Sequence, residues 1–170
     1  MRVITFTLDF FPMKTDPAPE HAWLKQLVGE WTYESTCDMG PDQPGKFSGA
    51  ESARMLGDLW VVCEGRMEMP GGDVGTSVMT LGYDPLKKRY VGTWVGSMMT
   101  HMWVYAGEMD AAGTTLTLAA EGPDFADPAK TTTYHDVVSF ADGVRTLTAR
   151  FIGPDGQWHE MMKSTYTRKN

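Results

Sequence analysis

The residues best equipped for chemistry gather around His101, in the run Met98-Met99-Thr100-His101-Met102-Trp103-Val104-Tyr105. Side chains of an extended chain point alternately to opposite faces. His101, Trp103 and Tyr105 therefore share one face, and Met102, Val104 and Ala106 share the other. A face of imidazole, indole and phenol could line a polar-aromatic pocket, ligate a metal or a haem iron, or accept a proton. The plainer alternative is an interior histidine satisfied by a neighbouring hydroxyl. Near the C-terminus the same alternation puts Trp158, Glu160 and Met162 on one face, and His159, Met161 and Lys163 on the other. If the Trp158 face turns inward, Glu160 is a buried carboxylate with raised proton affinity, a candidate acid or base. If it turns outward, Glu160 is solvated.

Other titratable residues offer less. His135 and Asp136 are sequence neighbours, so on a regular strand they cannot act as one unit. His21 belongs to an entry helix, where a local contact is the simplest role. Cys37 and Cys63 lack a local spacing motif and read as reduced, partly buried thiols. No His-x-His, His-Glu-x-x-His or Cys-x-x-Cys spacing occurs, and no Gly-x-Ser-x-Gly elbow or phosphate-binding loop, so no metal or cofactor is expected on motif grounds. The run Gly71-Gly72-Asp73-Val74-Gly75 reads as a hairpin turn. Methionine is abundant, with 13 residues, many in strand-like runs. Its flexible thioether suits either ordinary core filling or a greasy cavity of imprecise shape.

The elements that must position these residues follow from composition and pattern. The chain has 170 residues, 42% hydrophobic and 22% charged, with a net charge of −7. That profile fits an ordinary globular protein and gives a nucleic acid or an anionic membrane little to grip. Met1 to Pro12 reads as an upstream extension, with Asp9 interrupting its apolar run and Met13 as a second start. Residues 1–19 are expected to be an extended or disordered lead-in, and 20–170 one domain. With neither a signal sequence nor a membrane span legible, a cytoplasmic location is expected.

Helical spacing of Ala22, Trp23, Leu24, Leu27 and Val28 predicts a helix of two to three turns, stopped by Gly29. Beyond it, runs rich in Val, Thr, Trp, Tyr and Met alternate with Gly, Pro and Asp turns. They predict strands near 30–38, 47–56, 59–69, 74–83, 88–96, 100–109, 114–121, 131–140, 144–152 and 157–168. About ten strands joined by short turns pair as a meander, which twists and removes its exposed edges by closing. The expectation is an all-β, antiparallel up-and-down barrel with the short helix capping one end. A barrel wider than the eight-stranded case has room for a cavity.

Several stretches carry a resemblance: Glu20-His21-Ala22-Trp23-Leu24, Leu27-Val28-Gly29-Glu30-Trp31-Thr32-Tyr33, Leu56-Gly57-Asp58-Leu59-Trp60-Val61-Val62, Thr80-Leu81-Gly82-Tyr83-Asp84-Pro85 and Tyr90-Val91-Gly92-Thr93-Trp94-Val95-Gly96-Ser97-Met98-Met99-Thr100. From about His21 to Arg168 the chain resembles DUF1579, a bacterial family of lipocalin-like, calycin-type barrels of unknown function. The resemblance implies a barrel with a pocket, the Trp of Gly29-Glu30-Trp31 lying at its closed end, and no particular activity. Tyr33 and Trp94, within these stretches, join His101, Trp103, Tyr105, Trp158, Glu160 and Met162 as candidate ligand-binding residues.

Three functions remain open at this point. The first is a module binding a small apolar or amphipathic molecule. The second is a hydrolase or isomerase using His101 with a carboxylate such as Glu160. The third is a haem-binding barrel. A homodimer is a further expectation, from Trp and Met exposed on the walls.

Overall fold

The computed structural model describes residues 15–37, 45–68, 72–124 and 127–169. The N-terminal extension expected at Met1 to Pro12 lies outside them. A single α-helical turn, α1 (His21–Leu24), precedes ten strands. In chain order these are β1 (Gly29–Cys37), β2 (Lys46–Leu56), β3 (Trp60–Glu68), β4 (Val74–Asp84), β5 (Arg89–Gly96), β6 (Trp103–Met109), β7 (Thr115–Pro123), β8 (Thr131–Ala141), β9 (Val144–Ile152) and β10 (Trp158–Arg168). Each strand pairs antiparallel with its sequence neighbour, and β1 pairs with β10 to close the barrel. All ten strands expected from the turn residues form. The largest boundary difference is at β6, which starts at Trp103 because the chain turns after Gly96, where the Met99 amide bonds back to its carbonyl.

The predicted two- to three-turn helix is only partly α-helical. The α-helix covers only His21–Leu24, and the chain continues to Val28 as turns closed by bonds from Gln26 to Trp23, Leu27 to Leu24 and Val28 to Lys25. It still presents the expected face: Trp23, Leu24 and Leu27 are buried. These side chains plug the barrel end where the strand connections are tight turns. Tyr90 donates its hydroxyl to the Glu20 carbonyl at 2.9 Å, and Trp23 meets the rings of Tyr90 and Phe140 edge-on. Val61, Leu81, Leu116, Leu118 and Val138 complete the plug from the strands.

Trp31 locks this end. Its indole Nε1 donates to the Leu27 carbonyl at 2.8 Å, satisfying a group that the segment's end leaves open. Arg168, directly opposite on β10, lies over the Trp31 ring and donates to the Val28 and Gln26 carbonyls. Gly29, at the joint, has φ +134°, and a Cβ there would meet the Arg168 guanidinium. A side chain at this position is therefore excluded by both backbone and space.

The strands alternate as a barrel wall must. Outward positions of β1 and β10 carry Glu30, Thr32, Glu34, Lys163, Thr165 and Thr167, while inward positions carry Trp31, Tyr33, Ser35, Ser164 and Tyr166. An apolar strip does reach solvent on the outer wall, where Val78, Val95 and Val104 are exposed on β4, β5 and β6. Among the described residues no helix is long and apolar enough to cross a membrane. Trp31→Ala is expected to destabilise the protein by about 3–5 kcal/mol, the range for removing a large aromatic core side chain. Arg168→Ala should cost less. Denaturant-unfolding midpoints measured on both variants check the order.

Candidate functional site

The barrel interior divides into three zones. The lower zone, against α1, is the sealed plug: Leu24, Leu27, Val61, Leu81 and Leu116 have 0% exposure. The upper zone faces the longer connections at the opposite end. There the inward-facing Phe47, Met67, Trp94, Trp103, Phe151 and Met162 are only half-buried. A Cβ at Gly49 would strike the Tyr33 ring, and one at Gly122 the Trp103 ring, so both aromatics lie flat across a bare stretch of backbone.

Between plug and upper zone lies a polar belt. Arg145 on β9 is 0% exposed and Glu51 on β2 is 9% exposed. They form a two-pronged ion pair, with Nη1 to Oε1 at 2.6 Å and Nη2 to Oε2 at 3.4 Å. The guanidinium also stacks over Tyr166 at 4.0 Å. Burial works against the Arg145 charge, but the carboxylate of Glu51 more than offsets it and the group stays cationic. The same surroundings suppress ionisation of the neighbouring acids. The Tyr33 phenol is pushed up to about 12 by burial and by the Glu51 charge, and burial likewise raises Cys63 and Tyr166. Ser35 and Ser164 hydrogen-bond each other across the seam at 2.6 Å.

On the opposite wall Tyr105 donates its hydroxyl to Oδ2 of Asp136 at 2.5 Å. Burial holds the Asp136 carboxyl above the usual carboxylate range, and the Tyr105 donation offsets part of that rise. Tyr105 in turn is raised well above its ordinary value, by burial first and by Asp136 second. Asp136 belongs to none of the ion pairs formed among the described residues.

The upper rim is a chain of rings. His101 packs edge-on against Trp103, Trp103 against Tyr134, then come Phe151 and His159, with successive centroids 4.9, 4.7, 6.1 and 5.6 Å apart. His101 Nε2 donates to the Glu121 carbonyl at 3.1 Å, and His159 Nε2 contacts the Asp155 carboxylate at 2.9 Å.

The structure places five of the eight residues singled out in the sequence on the inward side of strands, Tyr33, Trp94, Trp103, Tyr105 and Met162, while His101 lies at the rim just before β6, against Trp103. Trp158 and Glu160 are corrected. Both are exposed on the outer wall, where Trp158 stacks on His135 and lies under the Arg150 guanidinium. A bulge between Glu160 and Met162 is the cause. The extra residue shifts the alternation by one, so Met162 turns inward while Trp158 and Glu160 turn outward. The bulge also opens a small cleft of about 140 Å³ between β1 and β10, lined by Thr36, Cys37, Glu160, Met161 and Met162. His101 and Glu160 are thus on opposite sides of the wall and form no acid–base pair. A haem held by His101 Nε2 does not match either, because that nitrogen is committed to the Glu121 carbonyl and the ring to Trp103. Among the described residues no group of three or more His, Cys, Asp or Glu is placed to hold a metal.

The sequence reading passed over Glu51 and Arg145 and set Asp136 aside with His135, yet these three are the charges of the lumen. A signal for them existed. Glu51 falls in phase with Phe47, Ala53 and Met55, Asp136 with Tyr134, Val138 and Phe140, and Arg145 with Leu147 and Phe151. A charge in the apolar phase of a strand is a charge in the lumen.

These features define a closed ten-stranded barrel with a plugged base, a charged belt and half-buried aromatic and Met side chains toward the opposite rim. The chain belongs to the DUF1579 family, described as a protein family of unknown function, whose model matches residues 16–168. Among solved structures it is similar in fold to Rv2717c from M. tuberculosis, with 10% sequence identity and a TM-score of 0.67, covering 91% of this chain and 100% of that one. A redesigned β-barrel matches at 9% identity and a TM-score of 0.47, covering 86% of this chain and 95% of the other. No curated protein matches the sequence.

Two expectations follow from the belt. Glu51→Gln leaves Arg145 buried without a counter-charge and should cost about 3–5 kcal/mol, whereas replacing both partners with Met and Leu should cost far less. Equilibrium unfolding of the single and double variants separates the two. Asp136 behaves oppositely. Its native pKa lies above the unfolded value of about 3.9, so the native state binds its proton more tightly. Its contribution is fully present below the unfolded pKa and is lost as pH rises through the native one. Asp136→Asn should therefore be more stable than the parent at neutral pH, with the gap closing as pH falls below about 4. Thermal melts across pH check this.

Proposed function

We propose that the protein binds a small apolar or amphipathic molecule in the upper zone of its barrel. One observation carries the reading. The inward Phe47, Met67, Trp94, Trp103, Phe151 and Met162 keep accessible surface, while Leu24, Leu27, Val61, Leu81 and Leu116 beside α1 keep none. Large apolar side chains left uncovered inside a closed wall cost free energy, at roughly 25 cal/mol per Å². A ligand that covers them recovers it. Ligand pockets of this kind are mostly apolar, with a few convergent polar groups that fix orientation. Here those groups are the phenols of Tyr33 and Tyr105 and the carboxylate of Asp136, below a rim of His101 and Trp103. Met67 and Met162 supply flexible walls that fit ligands of varied shape.

The test is uptake of Nile red, a neutral dye whose emission rises in an apolar site. Saturable binding at one dye per chain is expected. Ala149, inward on β9 and buried, sits beside both Asp136 and Met162 in the register. Ala149→Phe should fill the chamber and weaken the dye at least about tenfold, the effect of roughly 1.4 kcal/mol, while circular dichroism stays that of the parent. Dye binding that the plugged variant leaves unchanged would place the site elsewhere.

A further inference from the structure

The charges of the lumen are unequal in their partners. Arg145 is sealed at the chamber floor, its charge paired with both oxygens of Glu51 and only its buried Nε left without a hydrogen bond. An anionic ligand therefore meets no uncommitted cation in the belt among the described residues. Asp136 is different. It projects inward from the middle of β8, and its described partner is the neutral hydroxyl of Tyr105, on a single oxygen. In the register it is flanked by Leu118 on β7 and by the small Ala149 on β9. It stays half-buried rather than sealed, in contrast to Glu51. Aromatic faces stand close by, with Tyr134 two residues along the same face and edge-on to Trp103.

From this arrangement we propose that the chamber is selective for amphipathic amines: an apolar body in the upper zone and a cationic nitrogen bonded to the free side of Asp136. The proposal rests on the reading that the upper zone takes a small molecule, and it names the class. An ammonium group supplies the charge that the protein withholds from Asp136, and a charge-assisted hydrogen bond is about twice as strong as a neutral one. The surrounding rings favour the same charge through their faces. A carboxylate ligand would bring a second negative charge into an enclosed space, which low local polarity makes costly.

Calorimetry with three near-isosteric probes, naphthylmethylamine, naphthylmethanol and naphthoate, tests the idea on the full chain. The amine is expected to bind at least about tenfold tighter than the alcohol, as one charge-assisted bond allows, and the naphthoate weakest. Asp136→Asn should erase the preference for the amine, bringing its affinity down to that of the alcohol. Tyr105→Phe, which keeps the carboxylate and removes its competing donor, should retain or strengthen amine binding. Equal affinity for amine and alcohol, an unaltered preference in Asp136→Asn, or tightest binding of the naphthoate overturns the proposal and leaves the parent reading standing. Binding of none of the probes overturns the proposal too, and if Nile red also fails to bind, the parent reading falls with it.

Discussion

The pairing of β1 with β10 turns a sheet into a chamber. Seven residue pairs, from Trp31 opposite Arg168 to Cys37 opposite Met162, join the first and last strands of the chain. Without that seam a ten-stranded meander would offer two unpaired edges and an apolar face of Trp, Tyr, Leu and Met to water. With it, every inward side chain is confined to one enclosed space. The seam also ties the ends of the fold together chemically. Arg168 reaches past Trp31 to the carbonyls that close the helical segment, so the strand that seals the wall also fastens the plug. The short turns gather at the plugged end and the longer connections at the other, which gives the barrel a base and a rim.

Within that enclosure, charge is handled in two ways. The Arg145–Glu51 pair is sealed, bidentate and covered by Tyr166, a self-contained unit that separates the apolar plug from the upper zone. Such pairs add little net stability, yet they make the position of each partner strict, because either one alone would be ruinous. Asp136 has a hydrogen bond and no counter-charge. Its neighbours are small or apolar, and its only described support is Tyr105. The first arrangement builds the chamber floor, and the second leaves a polar group facing the space above it.

Much of the architecture is legible along the chain. Turn residues such as Gly57-Asp58, Ala141-Asp142-Gly143 and Gly153-Pro154-Asp155-Gly156 punctuate runs of β-branched and aromatic residues, and those runs are the strands. Alternation put Trp103 and Tyr105 on one face, which is the inward one, while His101 precedes the strand at the rim. The same rule failed at Trp158 and Glu160, where a single bulged residue shifts the phase. Bulges leave no fixed signature in residue type, since they depend on the partner strand. The helix was legible as a buried face but not in its winding, since that face can be presented by an α-helix or by successive turns.

By itself, the sequence determined the class of fold, the number of strands, their order and most of the pattern of their faces. Those are properties of local chain conformation and of burial, which residue type and spacing encode directly. Only the tertiary structure decided which charges meet. Glu51 and Arg145 lie 94 positions apart, and Tyr105 and Asp136 lie 31 apart. Their contacts depend on how far each strand slides against the next around a closed wall. That register is a collective property of ten pairings, and no short stretch of the chain contains it.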